Sequence, residues 1–416
     1  MDSKIAYRSL SSSPKYIFYL IVVACAGWAL ASYDVNLLVL ALPEIAQNLG
    51  ISEYELGILG FVVYGAQFIV TLFVGYGMDR YGRKRMWMIC MSGTAIFTGM
   101  TCLVHNFWEL ATVRALASGL AYSELAVSIT IVNEQLPARN RGLLYSIVQG
   151  GWPLGVFLAS GVYLIFDRMG WRFVFLLGVL PILAVMLGRV FIKESERFEE
   201  EKIRQSIEGT KPTLRELFLM PGDIRRQLVI LSIGWISYGA SYVATNFYIT
   251  YWLTEHKNFT SHQASFLMLL SGGAGFFFYV GGGWLGERIG RKTVIVLSAT
   301  LVAPLSLIFL YAQAYWLIVL DYFFLYQITN GVWSAAGYAY QSESFPTRIR
   351  GTAVGFLAAM LVLGFVSGSV LWTAVAGQHN PTLTWVVVAV LGSLGMLVTA
   401  LLRPISPGQE LEAIVS

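Results

Sequence analysis

The chain is 416 residues long, 56% hydrophobic and only 12% charged, with a mean hydropathy of +0.64. Soluble proteins carry roughly 25% charged residues, so this composition excludes a soluble globular protein and predicts an integral membrane protein. The net charge of +4 reflects Lys and Arg concentrated in particular loops, and neither an acidic partner nor nucleic acid is implied.

Apolar runs of about 20 residues, each able to cross a hydrocarbon core as a helix, recur along nearly the whole chain, without the short alternating segments of a barrel. The polar Met1 to Lys15 leads into a run too long for a cleavable signal. Twelve spans are predicted, at 16–42, 54–76, 86–104, 108–133, 143–166, 171–192, 227–252, 262–285, 293–311, 315–340, 352–376 and 382–403. Ser52 and Glu55 open the second span as a capping box, and Thr213 with Glu216 forms another further on. Gly150-Gly151-Trp152-Pro153-Leu154-Gly155 interrupts the fifth span, where small residues permit close helix approach and proline frees a carbonyl. Residues 193–226, rich in Glu, Lys and Arg, read as a cytoplasmic linker containing a surface helix. It separates an N-terminal six-helix half, 1–192, from a C-terminal six-helix half, 227–416. Cys25, Cys90 and Cys102 lack paired spacing and read as buried small hydrophobes. His105, His256, His262 and His379 read as solvated residues near helix ends, and no metal site is expected.

With the amino terminus in the cytoplasm, that side holds 24 of the 28 Lys and Arg, leaving Arg168, Arg172 and Lys257 outside and Arg114 within a span. The positive-inside rule then predicts a multi-pass protein of the cell membrane with both termini cytoplasmic.

The two halves repeat one another. After the second span the chain reads Gly75-Tyr-Gly-Met-Asp79-Arg80-Tyr-Gly82-Arg83-Lys84, and after the eighth Gly283-Trp-Leu-Gly-Glu287-Arg288-Ile-Gly290-Arg291-Lys292, an offset of 208, half of 416. Glu134-Gln-Leu-Pro137-Ala-Arg139-Asn-Arg141-Gly142 returns as Glu343-Ser-Phe-Pro346-Thr-Arg348-Ile-Arg350-Gly351, offset 209. Two independent motifs at almost one spacing mark two homologous halves. Asp79 can face Arg141, and Glu134 and Glu343 come within reach of the arginine clusters, so the motifs predict a cytoplasmic latch between the halves. Exposed ion pairs are worth about 0–1 kcal/mol singly, but a network of them can bias a two-state equilibrium.

From about Tyr16 to Arg403, the twelve spans and the Gly75 to Lys84 motif closely resemble the major facilitator superfamily. The fourth span, with Arg114, Gly119, Glu124, Glu134, Pro137 and Arg141-Gly142, resembles the branch that holds sugar porters and metabolite/proton symporters. Glu124, ten residues beyond Arg114, is similar to a signature of the aromatic-acid, nicotinate and sialate symporters. Asp34 in Ser-Tyr-Asp resembles the first-span aspartate of both groups, and Glu194-Ser195-Glu196-Arg197 resembles the sequence after the sixth span. The resemblance implies an all-α fold of two pseudo-symmetric six-helix bundles. It also implies alternating-access transport of a small organic substrate, with a proton as coupling ion and no cofactor, by a monomer in the lipid bilayer.

An ionisable side chain in mid-membrane costs on the order of 3 kcal/mol, so such residues usually face a wet cavity. Asp34 lies about 12 Å and Arg114 about 9 Å from the outer ends of their spans at 1.5 Å rise per residue. They can therefore meet, as a static ion pair or as a titrating one. Glu124, near the midplane, can bind substrate, titrate or bridge to a neighbouring helix. Asp321 reads as a hydrated helix-end residue. Polar and aromatic residues within the spans form the candidate substrate site. They are Tyr33, Asn36, Tyr64, Gln67, Gln149, Trp152, Tyr242, Asn246, Gln327, Asn330 and Trp333, and they suit a small planar or sugar-like molecule. The sequence thus predicts proton symport of an organic acid. A sugar or polyol cargo is the nearest alternative, and a receptor or channel that of another class. No metal-ligand cluster, phosphate loop or nucleophile with its base suggests an enzyme.

Overall fold

The computed structural model describes residues 14–135, 141–189, 192, 219–345, 347–376 and 380–404, and among these it is helical throughout, with no strand. The helices assemble into twelve rods. In the N-terminal half these are Pro14–Leu49, Glu53–Tyr81, Arg83–Met100, Phe107–Gln135, the broken pair Arg141–Gln149 and Gly151–Phe166, and Trp171–Arg189. In the C-terminal half span seven is Gly222–Tyr242, the π-helical Val243–Phe247 and Ile249–His256; spans eight and nine are Ser261–Ile289 and Arg291–Tyr311. Span ten runs through Tyr315–Tyr326, the π-helical Gln327–Trp333 and Ser334–Glu343, span eleven is Thr347–Ala376, and span twelve begins at Pro381. Nine of the described helices are long and apolar enough to cross a membrane. Span seven starts at Gly222, inside the stretch expected to be linker. The surface helix and the Thr213–Glu216 box expected there lie outside the described residues.

Local chemistry sets the helix ends. Ser52 and Glu55 form the expected capping box at span two, and Thr260 with Gln263 makes a second one at span eight. Spans two and three meet at Gly82 with φ 101° and ψ 151°, and spans eight and nine at Gly290 with φ 91° and ψ 137°. Backbone of this kind is essentially restricted to glycine, which explains why the repeated motif keeps a glycine at both positions. The arginine after each glycine folds back over the preceding helix end: Arg83 Nη1 donates to the Met78 carbonyl at 3.2 Å, and Arg291 Nη1 to that of Gly283 at 2.6 Å. These turns define one face of the molecule, called here the motif face.

Small residues bring the spans together. A Cβ on Gly151 would sit 2.5 Å from the Cys25 carbonyl oxygen, and one on Gly155 2.5 Å from Ser32 Cβ and 2.7 Å from Tyr33 N. Spans one and five thus pack backbone to backbone. Between halves, a Cβ on Gly272 of span eight would lie 2.7 Å from Phe157 N of span five, and one on Gly57 of span two 2.9 Å from Thr373 Cα of span eleven.

Candidate functional site

A narrow cavity lies where the two halves meet near mid-span, with only about 30 Å³ open to the centre of a water-sized molecule. The N-terminal half lines it with Trp28, Tyr122, Gln149 and Trp152; the C-terminal half does so with Tyr238, Tyr242, Tyr279, Asn330, Tyr338, Leu361 and Phe365. Every polar group in this lining is neutral. Four of the expected substrate residues are among them, namely Gln149, Trp152, Tyr242 and Asn330. The others lie elsewhere. Asn246 accepts from Asn330 Nδ2 at 3.1 Å, and Trp333 stacks on Tyr238 at 4.9 Å, so both support the wall from behind. Gln327 donates to the Ser271 carbonyl, Asn36 to Ser32, and Gln67 is buried in span two. Tyr64 packs between Phe247 and Phe365 at 5.1 and 4.9 Å, and Tyr33 adjoins Gly178 of span six. Helical spacing could have found some of the residues that were missed: Tyr238 lies four before Tyr242, and Tyr338 eight after Asn330, hence on shared faces.

The two halves are bonded to one another on the side away from the motif face. There Tyr248 Oη donates to the Leu56 carbonyl at 2.7 Å and Thr250 Oγ1 to that of Val39, each bond joining the two halves. At mid-span Trp152 of one half and Tyr242 of the other both line the cavity.

Asp34 and Arg114 form a fork within the N-terminal half, both fully buried. Arg114 Nη1 donates to Oδ1 at 3.0 Å and Nη2 to Oδ2 at 2.9 Å, while Nη2 also reaches the Asp34 carbonyl at 3.1 Å and Ser118 Oγ at 3.4 Å. Thr98 of span three donates to Oδ1, and the guanidinium lies 5.2 Å from the Phe175 ring centroid. Neither charge lines the cavity. Arg114 precedes the lining residue Tyr122 by eight positions, an axial separation of about 12 Å. Glu124 is also buried away from the cavity lining, where Trp87 Nε1 of span three donates to its Oε1 at 2.8 Å.

Asp321 and His256 do not take the solvated positions expected of them. Asp321 is 5% exposed, with Oδ2 lacking a hydrogen-bond partner among the described residues, because two turns of span ten carry it below the helix end. His256 is half-buried against Trp252, ring centroids 4.4 Å apart, rather than solvated.

At the motif face Arg291 pairs with Glu287 and with Glu343, each at 3.3 Å. All three belong to the C-terminal half, so these pairs fasten span nine to spans eight and ten and do not bridge the halves. Burial pushes the Glu343 carboxyl up, and Arg291 partly opposes this. Arg288 lies over the Trp284 ring at 4.3 Å. Of Gly75, Asp79, Arg80, Glu134, Arg141 and Arg350 only the helical backbone is described. No group of three or more His, Cys, Asp or Glu able to hold a metal occurs among the described residues.

Two helical halves enclosing a central cavity define a membrane transporter of the alternating-access kind. The family model described as Major Facilitator Superfamily matches residues 21–282 and 230–414, and the chain belongs to that family. It is a transporter and not an enzyme. It is 29% identical to a probable 4-methylmuconolactone transporter of Cupriavidus pinatubonensis, covering 90% of this chain and 86% of the relative. It is 26% identical to a cis,cis-muconate transport protein of Acinetobacter baylyi, covering 82% and 81%. Among solved structures, the proton:xylose symporter of Escherichia coli superposes with a TM-score of 0.77 at 18% identity, covering 97% of this chain and 99% of that one.

Proposed function

We propose that the protein carries a small organic acid into the cell together with a proton, the motif face being cytoplasmic. The observation that carries this reading is the buried Asp34–Arg114 fork. It is the one described ion pair with both side chains fully buried, and it sits beside the substrate cavity rather than in it. With Asp34 ionised the pair is neutral. A proton on Asp34 unmasks the guanidinium, and the positive charge then attracts a carboxylate in the cavity. Over about 12 Å at an effective dielectric constant of about 20 this attraction is about 1.4 kcal/mol, a tenfold gain in affinity. Pair, proton and carboxylate together are again neutral, so proton and anion each favour the other's binding, and this mutual gain is the coupling. The carboxylate itself is met by neutral donors such as tyrosine hydroxyls and the Asn330 and Gln149 amides. The muconate relative, whose named cargo is a carboxylate, supports the choice of substrate class.

One observation favours a second reading. A lining without any ionised group also suits a neutral sugar or polyol. Reconstituted protein offered labelled carboxylates, with cis,cis-muconate among them, and labelled sugars separates the two. Carboxylate uptake driven by an inside-alkaline gradient supports the acid, and sugar uptake with no carboxylate uptake rejects it.

A further inference from the structure

We propose that Ser32 is the positioning residue through which the protonation state of Asp34 reaches the substrate cavity. This rests on the assignment of Asp34 as the proton site. The pair and the cavity do not touch, so their coupling needs a mechanical route in addition to the electrostatic one, and the contacts of span one supply it.

Arg114 grips both the Asp34 carboxylate and its main-chain carbonyl. The guanidinium therefore fixes the backbone of span one at this turn, and loosening the fork frees that backbone. Two residues earlier, Ser32 Oγ accepts from Asn36 Nδ2 at 3.2 Å and donates to the Trp152 carbonyl of span five at 2.6 Å. Asn36, which also donates to the Ser32 carbonyl at 2.8 Å, fills one acceptor site of the hydroxyl and directs its single proton at Trp152. The carbonyl that receives it sits in the broken part of span five, between Gly150 and Pro153. Around this bond Gly151 and Gly155 leave spans one and five without room to slide independently. Trp152 and Gln149, carried on the same break, line the cavity. A shift of span one at Asp34 is thus delivered to the cavity wall through one oriented hydroxyl.

The groups facing Asp34 are few. Span four offers Arg114 and Ser118, span three Thr98, and its own helix Tyr33, while span six presents Phe175 to the guanidinium. Arg114 is thus the one cation against it among the described residues.

Hydrogen–deuterium exchange of the full-length protein in lipid nanodiscs tests this without a substrate. Protection of the peptide covering 147–155 is followed from pH 5.5 to 8.5 and corrected for intrinsic exchange. The wild type is expected to change protection by about fivefold or more across this range, the lower end of usual site-to-site coupling. Ser32→Ala should flatten the response to within about twofold while the protein stays folded across the pH range, and Ser32→Thr, which keeps the hydroxyl, should restore it. A response in Ser32→Ala equal to wild type, or no response in the wild type, overturns the proposal. Asp34→Asn tests the underlying assignment separately: a persistent pH response in that variant removes Asp34 as the proton site, whereas a flat one retains it.

Discussion

Removing Asp34 and Arg114 from water costs several kcal/mol per ion, and two parallel charge-assisted hydrogen bonds, with Thr98 as a third donor, offset that cost. Losing one partner strands the other. Asp34→Ala and Arg114→Ala should each destabilise by about 3–5 kcal/mol, while the double variant should cost clearly less than their sum. Detergent-solubilised thermal unfolding of the cycle checks this, and additive losses would mean the fork contributes nothing as a pair. A second titration belongs to His256. Burial first, and then the neighbouring Lys257, hold its imidazole below the usual 6.5. A lowered folded value gives a contribution that is complete above pH 6.5 and lost as pH falls through the folded value. His256→Gln should therefore lose less melting temperature than wild type between pH 6.5 and pH 5. The sequence made the Asp34–Arg114 pair legible, because two opposite charges at matched depths in apolar spans have few other partners. It did not separate the cavity wall from the layer behind it, as with Asn330 and Asn246, because tyrosines and amides are common on packed helix faces and only geometry distinguishes front from back.

At the scale of elements, the turns after spans two and eight are held by glycines whose dihedrals other residues adopt at a cost. Gly82→Ala and Gly290→Ala should each cost on the order of 1–3 kcal/mol. Gly281 offers a control, since a Cβ there meets nothing within 4 Å and its φ is ordinary. A loss at Gly281→Ala as large as at the two turns would contradict the strain argument. Pattern alone located these turns, the break in span five and the Ser52 cap, each of which needs particular residues at fixed spacing. It could not foresee the π-helical segments of spans seven and ten. Such a segment adds a residue per turn without leaving a composition signal, and it redirects Asn246 and Asn330 towards each other.

Across the whole molecule the two halves share architecture but not charge. At the offset of 208, Asp34 corresponds to Tyr242 and Arg114 to Tyr322, so the C-terminal half has two tyrosines where the N-terminal half has its ion pair. Tyr242 lines the cavity and Tyr322 donates to the Thr245 carbonyl. The buried ion pair therefore sits in one half, and the other provides most of the aromatic wall. Orientation has its own check: single cysteines at Ser206 and Gln378 should react with an impermeant thiol reagent from the cytoplasmic and outer sides respectively, and labelling of both from one side would refute the twelve-span topology. The central claim, that Asp34 carries the coupling proton, is tested most directly by comparing wild type and Asp34→Asn in proteoliposomes, using a carboxylate that the wild type accumulates. Under an inside-alkaline gradient the variant should fail to accumulate the acid, yet still exchange labelled for unlabelled acid across the membrane with affinity nearly constant from about pH 5 to 8. Accumulation by Asp34→Asn at the wild-type level and with wild-type pH dependence would place the proton elsewhere.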